Sequence, residues 1–549
     1  MKKLIYFAIG MVVMSGCGLS DSQAANGNSA SNASEKDKTE QLLNLSVASE
    51  LPTIDPALSQ DTISFSTLNQ VMEGLYRLDT NEKAIPALVE GAPEVSEDQL
   101  TYLFTLKPDL KWSNGEPLTA ADFEYGWQRI VNPETAANYS FVMTDIKNAE
   151  AILAGETKVD ELGIKALNEL ELAITLERPV ENFLKLITKP TFFPQKESFI
   201  STQGSKFGTS SEAALYNGPF ILKEWDGTGL SWTYEKNEQY WDKENVALTK
   251  VTNQVIKETS TGLNLYNNGE IDSIALTGEF AQQYNQDSEF MAPLMAKSVY
   301  LELNHLNNPA LKNKNMRTAL ALAISREELA DNIMANGSKA LGGLVTSGLV
   351  ENPETGEDFR KAAGDYLEYQ PEKASQLWAI AQKELGLTDV ELELVADDDE
   401  VTKKVSQYLQ NKIEKNLPGV MVTIKNVPFK NRIELGDNGD FDLLLSGWGA
   451  DTNDTNNFLS LFLSGSVFNG GKYSSEEYDK FVQASMDVDS NNPEKKWANN
   501  LAAEKILMDD VAIVPLYQQA QAMLLRENVE DYYLSQINSV NLKYVSIRE

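Results

Sequence analysis

The sequence predicts an α/β fold. Three observations lead there. Period-two strand patterns recur along the chain, helical patterns lie between them, and 549 residues exceed what one hydrophobic core organises. Two or three domains are expected. The composition, 42% apolar and 23% charged, is that of ordinary globular proteins.

The first element is MKKLIYFAIGMVVMSGC. Lys2 and Lys3 precede an apolar run, Leu4–Met14. That run is too short for a stable membrane anchor but suits the core of a signal peptide. The small residues Ser15 and Gly16 before Cys17 resemble the lipobox of bacterial lipoproteins. The resemblance implies removal of residues 1–16 and a lipid on Cys17. The alternative is a plain secretory signal with an incidental cysteine. Cys17 is the only cysteine, so no internal disulfide is available and the fold must rest on its core. Residues 17–40 are rich in Ser, Asn, Ala and Gly and read as a flexible tether, with a span of roughly 25–30 Å. The folded part is expected from about Leu42.

Strand-like runs follow at Leu42–Ala48, Leu100–Leu106, Glu169–Leu176, Phe220–Glu224, Leu230–Tyr234, Ser298–Asn304, Val390–Val395, Val420–Val427 and Phe441–Leu445. ELELAITL, residues 169–176, alternates cleanly. Helices are expected at Thr119–Val131, Asn315–Ile324, Glu327–Met334, Glu372–Leu385 and Thr402–Leu417. The first carries Thr119 and Asp122 at near capping-box spacing, with Phe123, Trp127 and Ile130 on one face. The last stops at Leu417-Pro418-Gly419. No repeat and no transmembrane helix is read from the sequence.

Charge excludes some functions. The formal net charge is −34, and loss of residues 1–16 with Lys2 and Lys3 makes it −36. No basic surface is present to displace counterions from nucleic acid, nor to hold anionic lipid broadly. Catalysis is equally hard to place. His305 is the only histidine, and no G-x-S-x-G elbow stands near it. It reads as a structural or solvent-facing residue. One histidine and one cysteine cannot fill a zinc ligand set. Asp397-Asp398-Asp399-Glu400 lacks EF-hand spacing and reads as a solvated helix N-terminus. Asp437-Asn438-Gly439-Asp440 reads as a turn. No cofactor and no enzymatic activity are expected.

One stretch stands apart. In FDLLLSGWGADTNDTNNFL, residues 441–459, an apolar run meets Gly447-Trp448-Gly449, read as a turn, and then Asp451. Asp451 either belongs to a binding site or caps a helix at Asn456–Leu463.

Separated motifs resemble the extracellular solute-binding proteins of oligopeptide ABC importers, the OppA type. They are ASELPTIDPALSQD (48–61), VMEGLYRLD (71–79), LFTLKPDLKWSNGEPLTAADFEYGWQRI (103–130), NGPFILKEW (217–225), YNNGEIDSI (266–274), NKNMRTALALAISREELADNI (313–333), the 441–459 stretch and VAIVPLYQ (511–518). The resemblance covers essentially all of residues 42–549. It implies a two-lobed periplasmic-binding-protein fold of type II, in its large three-domain version, with a hinge and a cleft between the lobes. Domain I would comprise 41–72, 200–302 and 515–549, domain II 73–199 and domain III 303–514.

The resemblance also implies a ligand and a way to hold it. Asp451 would bind the α-ammonium of an oligopeptide, because a carboxylate enclosed in a cleft needs a cationic partner. Gly447 and Gly449 would admit the ligand backbone closely, and Trp448 would offer a flat apolar wall. Pairing as an added strand would run along Ser59, Gln60, Asp61 and Thr62 on one lobe and Ser446 to Ala450 on the other. Tyr139 and Phe429 fall where the family places cleft-lining aromatics, or are ordinary core. Pro219-Phe220 replaces the family's Ala-Tyr, and Leu445 stands where some members carry arginine. The expected role is capture and delivery to the permease subunits of an ABC importer, by a monomer anchored outside the cell membrane through Cys17, at a Gram-positive surface. The alternatives are a receptor for one hydrophobic peptide pheromone, a nickel-chelate or haem carrier, and an adhesin or chaperone.

Overall fold

The computed structural model describes residues 41–548, apart from Asn81, Glu82, Glu181, Asp451, Ser535, Asn538 and Ser539. The signal-peptide segment, Cys17, the tether and Asp451 therefore lie outside the described residues.

Among the described residues three large sheets organise the molecule. A seven-stranded sheet runs in the order Phe290–Met291, Met523–Leu525, Ser273–Ala275, Leu42–Val47, Lys250–Val255, Ser231–Lys236 and Phe220–Lys223. A four-stranded antiparallel sheet contains Glu94–Val95, Thr101–Thr105, Glu171–Thr175 and Ile164–Ala166, and it shares one continuous core with most of the first sheet. A six-stranded sheet runs Lys339–Ala340, Ile513–Ala520, Leu294–Leu303, Leu443–Gly449, Val390–Asp397 and Val420–Val427. It is covered by separate cores on its two faces.

Local chemistry explains the elements. In Glu171–Thr175 the alternation puts Leu172 and Ile174 fully inside. The Ala120–Val131 helix starts where Asp122 accepts from the Thr119 N–H at 3.0 Å, and its buried face carries Phe123, Trp127 and Ile130. Asp122 also accepts from Trp112 Nε1 at 3.1 Å, so one carboxylate ties the cap to the core. Asp399 caps the Glu400–Asn416 helix by accepting from the Thr402 N–H.

Several expectations are corrected. Gly447-Trp448-Gly449 is the end of a strand, not a turn, because each residue keeps its register against Leu294–Leu303. The helix expected at Glu327–Met334 begins as α at Arg326–Glu328 and continues as a π-helix over Leu329–Met334. Asp437-Asn438-Gly439 ends the Phe429–Asn438 helix, with Gly439 at φ +71° closing it. The acidic run is not uniformly solvated. Asp397 closes a strand and accepts from Arg432 Nε at 3.2 Å, while Asp398 pairs with Lys257 at 2.6 Å. His305 is partly buried, with Nε2 at 3.3 Å from the Ala512 carbonyl and its ring edge on Tyr473.

The chain crosses between the seven- and six-stranded sheets at Met291 to Leu294 and at Ala520 to Met523. Strands on both sides of each crossing pair with the other passage: Phe290–Met291 with Met523–Leu525, and Leu294–Leu303 with Ile513–Ala520. No helix among the described residues is long and apolar enough to cross a membrane.

Candidate functional site

The Leu443–Gly449 strand is the spine of the site. One edge pairs with Leu294–Leu303 over its whole length, from Leu443 opposite Leu303 to Gly449 opposite Lys297. The other edge meets Val390–Asp397 at Leu443 and Leu444 and then leaves it. The ladder's phase follows from two flanking bonds, Asn304 N–H to the Asp442 carbonyl at 2.9 Å and Ala450 N–H to the Ala296 carbonyl at 2.8 Å. Alternate residues of an antiparallel strand face opposite neighbours. Leu444, Ser446 and Trp448 therefore bond inward, and Gly447 and Gly449 turn their N–H and C=O to the unpaired edge. A side chain added at Gly449 would meet nothing within 4 Å, so the face of the sheet is open there as well.

The open edge forms one wall of a cavity of about 390 Å³ between the two lobes. Of the residues singled out in the sequence, Gln60, Asp61, Thr62, Tyr139, Phe429, Ser446, Gly447, Trp448 and Gly449 line it. Three others do not. Phe220 occupies an inward position of its strand and packs wholly inside, its ring 6.4 Å from that of Tyr234. Ser59 is fully buried, its hydroxyl donating to the Asp55 carbonyl at 2.7 Å. Ala450 is buried and spends its N–H on Ala296. Asp61 lines the wall but also caps the Thr62–Val71 helix, accepting from the Ile63 and Ser64 N–H groups. Burial pushes its carboxyl above the usual range against those bonds. In the helix after the motif Thr455 is the N-cap without a side-chain cap bond, and Asp454 before it accepts from the Asn456 N–H at 2.9 Å.

Aromatic rings join the lobes over the cavity. Tyr139 stacks on Trp448 at 6.2 Å and 23°, and the edge of Phe468 meets both rings, at 6.0 and 4.9 Å. Two buried polar atoms here have no hydrogen-bond partner among the described residues, the Trp448 Nε1 donor and the Gln60 Oε1 acceptor. Such atoms cost free energy until a partner arrives. Gln60 Nε2 meanwhile bridges the lobes to Asp437 at 2.8 Å, and Asn138 reaches the same carboxylate at 3.4 Å. Phe468, Lys297, Arg432 and Glu302 also line the cavity and were not singled out in the sequence. For Lys297 and Glu302 the signal was the pairing of Leu294–Leu303 with Leu443–Gly449, which no single segment carries. Burial pushes Glu302 up to about 7, against a bond from the Gly471 N–H at 2.7 Å.

Comparison with known proteins agrees with this architecture. The family described as "Bacterial extracellular solute-binding proteins, family 5 Middle" matches residues 83–470. The chain is 36% identical over 501 residues to a dipeptide-binding protein of Lactococcus lactis subsp. cremoris, covering 89% of this chain and 90% of that one. It is similar to the structure of Listeria monocytogenes OppA bound to peptide, with a TM-score of 0.90, 38% identity, and coverage of 93% of this chain and 100% of that one. It is similar also to the pheromone receptor PrgZ, with a TM-score of 0.89, 35% identity and coverage of 93% and 100%. The chain belongs to the family 5 bacterial extracellular solute-binding proteins.

Proposed function

We propose that this protein captures oligopeptides between its lobes by strand addition and delivers them to an ABC permease. One observation carries the reading: an unpaired strand edge, with two glycine backbones turned outward, lines the cavity between the lobes. A receptor for many peptides must grip what they share, the backbone and the charged termini. The glycines supply backbone groups without side chains in the way. The aromatic wall of Tyr139, Trp448 and Phe468 offers apolar surface to a ligand side chain. Peptide-bound Listeria OppA, similar over nearly the whole chain, supports the same reading.

The finer assignments are part of this proposal. Asp451, directly after the strand that forms the wall and Ala450, takes the ligand's α-ammonium. The domains divide as 41–72 with 200–293 and 521–549, then 73–199, then 294–520; the bounds expected at 302 and 515 move because Leu294–Leu303 and Ile513–Ala520 are strands of the six-stranded sheet. Signal peptide removal leaves Cys17 lipidated, and the monomer is tethered outside the membrane of a Gram-positive cell. Calorimetric titration of one alanine peptide, free and N-acetylated, tests the ammonium site. The free peptide is expected to bind at least tenfold more tightly, and Asp451→Asn to erase the difference. Equal affinities for the two peptides overturn the assignment. No binding of any free peptide at about 1 mM overturns peptide capture itself.

A dedicated receptor for one hydrophobic peptide is the second reading, favoured by the aromatic wall and by likeness to PrgZ. Mass spectrometry of ligand retained through purification separates the two, as a mixture marks a scavenger and one species a dedicated receptor.

A further inference from the structure

Lys297 stands opposite Gly449 on the strand that pairs with the spine of the site. In an antiparallel pair, residues in register share a face, so Lys297, Gly447 and Gly449 lie on the same side of the sheet. Gly447 has no side chain there, and the lysine uses the gap. Its Cε lies 3.5 Å from where a Cβ on Gly447 would sit. The stem therefore crosses diagonally over the spine towards the open edge. The sheet order continues the direction, because Val390–Asp397 lies beyond the spine. Asp397 and Asp399 are the acidic groups that act on the lysine's charge, with Arg432 as the nearby cation.

No hydrogen bond or ion pair joins the lysine to either acid among the described residues: Asp397 accepts from Arg432 Nε, and Asp399 from the N–H of Thr402. Lys297 lines the cavity, is half-buried, and makes no hydrogen bond or ion pair among the described residues. An ammonium with three donors, held partly away from water, calls for an acceptor.

We propose that Lys297 is a specificity-determining residue that binds a carboxylate of the ligand, presented at the open edge of the Leu443–Gly449 strand. The inference rests on the peptide-capture reading. A peptide offers this chemistry from two sources, its C-terminus or an Asp or Glu side chain. The lysine passes in contact distance over Gly447, where an added Cβ would touch its Cε at 3.5 Å and crowd the Ser298 carbonyl at 3.1 Å. Leu445 removes one place where a fixed cation would otherwise stand, and Lys297 brings a cation in from the neighbouring strand.

The test titrates the full-length protein with tri- and tetra-alanine as free acids and as C-terminal amides, and with amidated tetra-alanine carrying one glutamate. The same series is run on Lys297→Met, which keeps the stem, and Lys297→Arg, which keeps the charge. A C-terminal source is supported if the wild type prefers the acids by about tenfold, Lys297→Met abolishes the preference and Lys297→Arg retains most of it. A side-chain source is supported if the preference attaches instead to the glutamate peptide and disappears in the same variant. If Lys297→Met binds amides, acids and the glutamate peptide with unchanged ratios, the proposal is overturned while peptide capture stands. If the wild type binds none of the peptides, both fail together. Thermal melting of each variant controls for folding, and the tri- and tetra-alanine amides, which carry no carboxylate, give the baseline against which each preference is read.

Discussion

Glu302 and His305 stand three residues apart and respond to pH in opposite senses. Glu302 faces the cavity with Arg432, Lys472 and Asp437 near it, and burial raises it from 4.5 to about 7. A carboxyl raised in the folded state favours folding below its unfolded value. That contribution is lost as pH climbs towards 7, because the unfolded chain releases the proton first. His305, beside Arg317 and Asp510, is lowered by burial from 6.5 to about 4. Here the unfolded chain takes up the proton first, so stability is lost as pH falls from 6.5 towards 4. Each shift corresponds to on the order of 3 kcal/mol, and between about pH 5 and 6.5 the two slopes oppose one another. Single variants should separate them. Relative to wild type, Glu302→Gln should gain stability as pH rises from about 5 to 7, and His305→Gln should gain it as pH falls over the same range. Urea unfolding midpoints across that range check both directions, and parallel profiles for all three proteins would contradict the argument. Neither residue's behaviour is written in its local sequence. His305 sits in YLELNHLNNPA, and only the fold brings the Ala512 carbonyl and the Tyr473 ring against it.

At the scale of elements, the site depends on a strand with one edge left open. Strand addition predicts a specific sensitivity in the ligand. A peptide N-methylated at a residue that pairs with Gly447 or Gly449 loses one donor and gains a clash along the ladder. Its affinity should fall by about tenfold or more, whereas methylation one residue along, where the N–H points away, should cost little. Calorimetry on a set of singly methylated tetra-alanines reads this as an alternation, and a uniform loss at every position would contradict strand pairing. The elements were largely legible in the sequence where local chemistry decides them. Val420–Val427 has the expected ends, and Ala120–Val131 starts at its expected cap. Local chemistry misleads at Gly447-Trp448-Gly449, where glycines flanking a bulky residue favour a turn. The ladder to Leu294–Leu303 outweighs that local preference. Lys297 was equally hidden, since its reach over Gly447 comes from pairing between segments far apart in sequence.

On the scale of the whole molecule, binding and shape are the same event. Among the described residues two chain passages, near residues 291–294 and 520–523, connect the paired sheets, and the lobes can turn about them without breaking either core. The arrangement described here is closed. Gln60 and Asn138 hold Asp437, Lys185 reaches Asn453 at 3.0 Å, and Arg178 reaches Asp487 at 2.9 Å. Most of these side chains are solvent-facing and each contact contributes little. The Asp437 cluster differs, because it is partly buried and lies at the rim of the cavity. A ligand shifts the population only by what it gains in the closed form over the open one. Contacts between the lobes add to that gain without touching the ligand. Asp437→Ala should therefore open the ligand-free protein and weaken every peptide by a similar factor, about three- to tenfold, the net worth of one ordinary hydrogen bond. Thermal stability should change little, as neither core loses a side chain. Small-angle scattering checks the shape: the ligand-free variant should be more extended than wild type, and both should converge on one compact form with saturating peptide. If the two proteins scatter alike without ligand, the Asp437 bridges do not hold the lobes together. The loss of affinity would then have to come from the cavity wall itself.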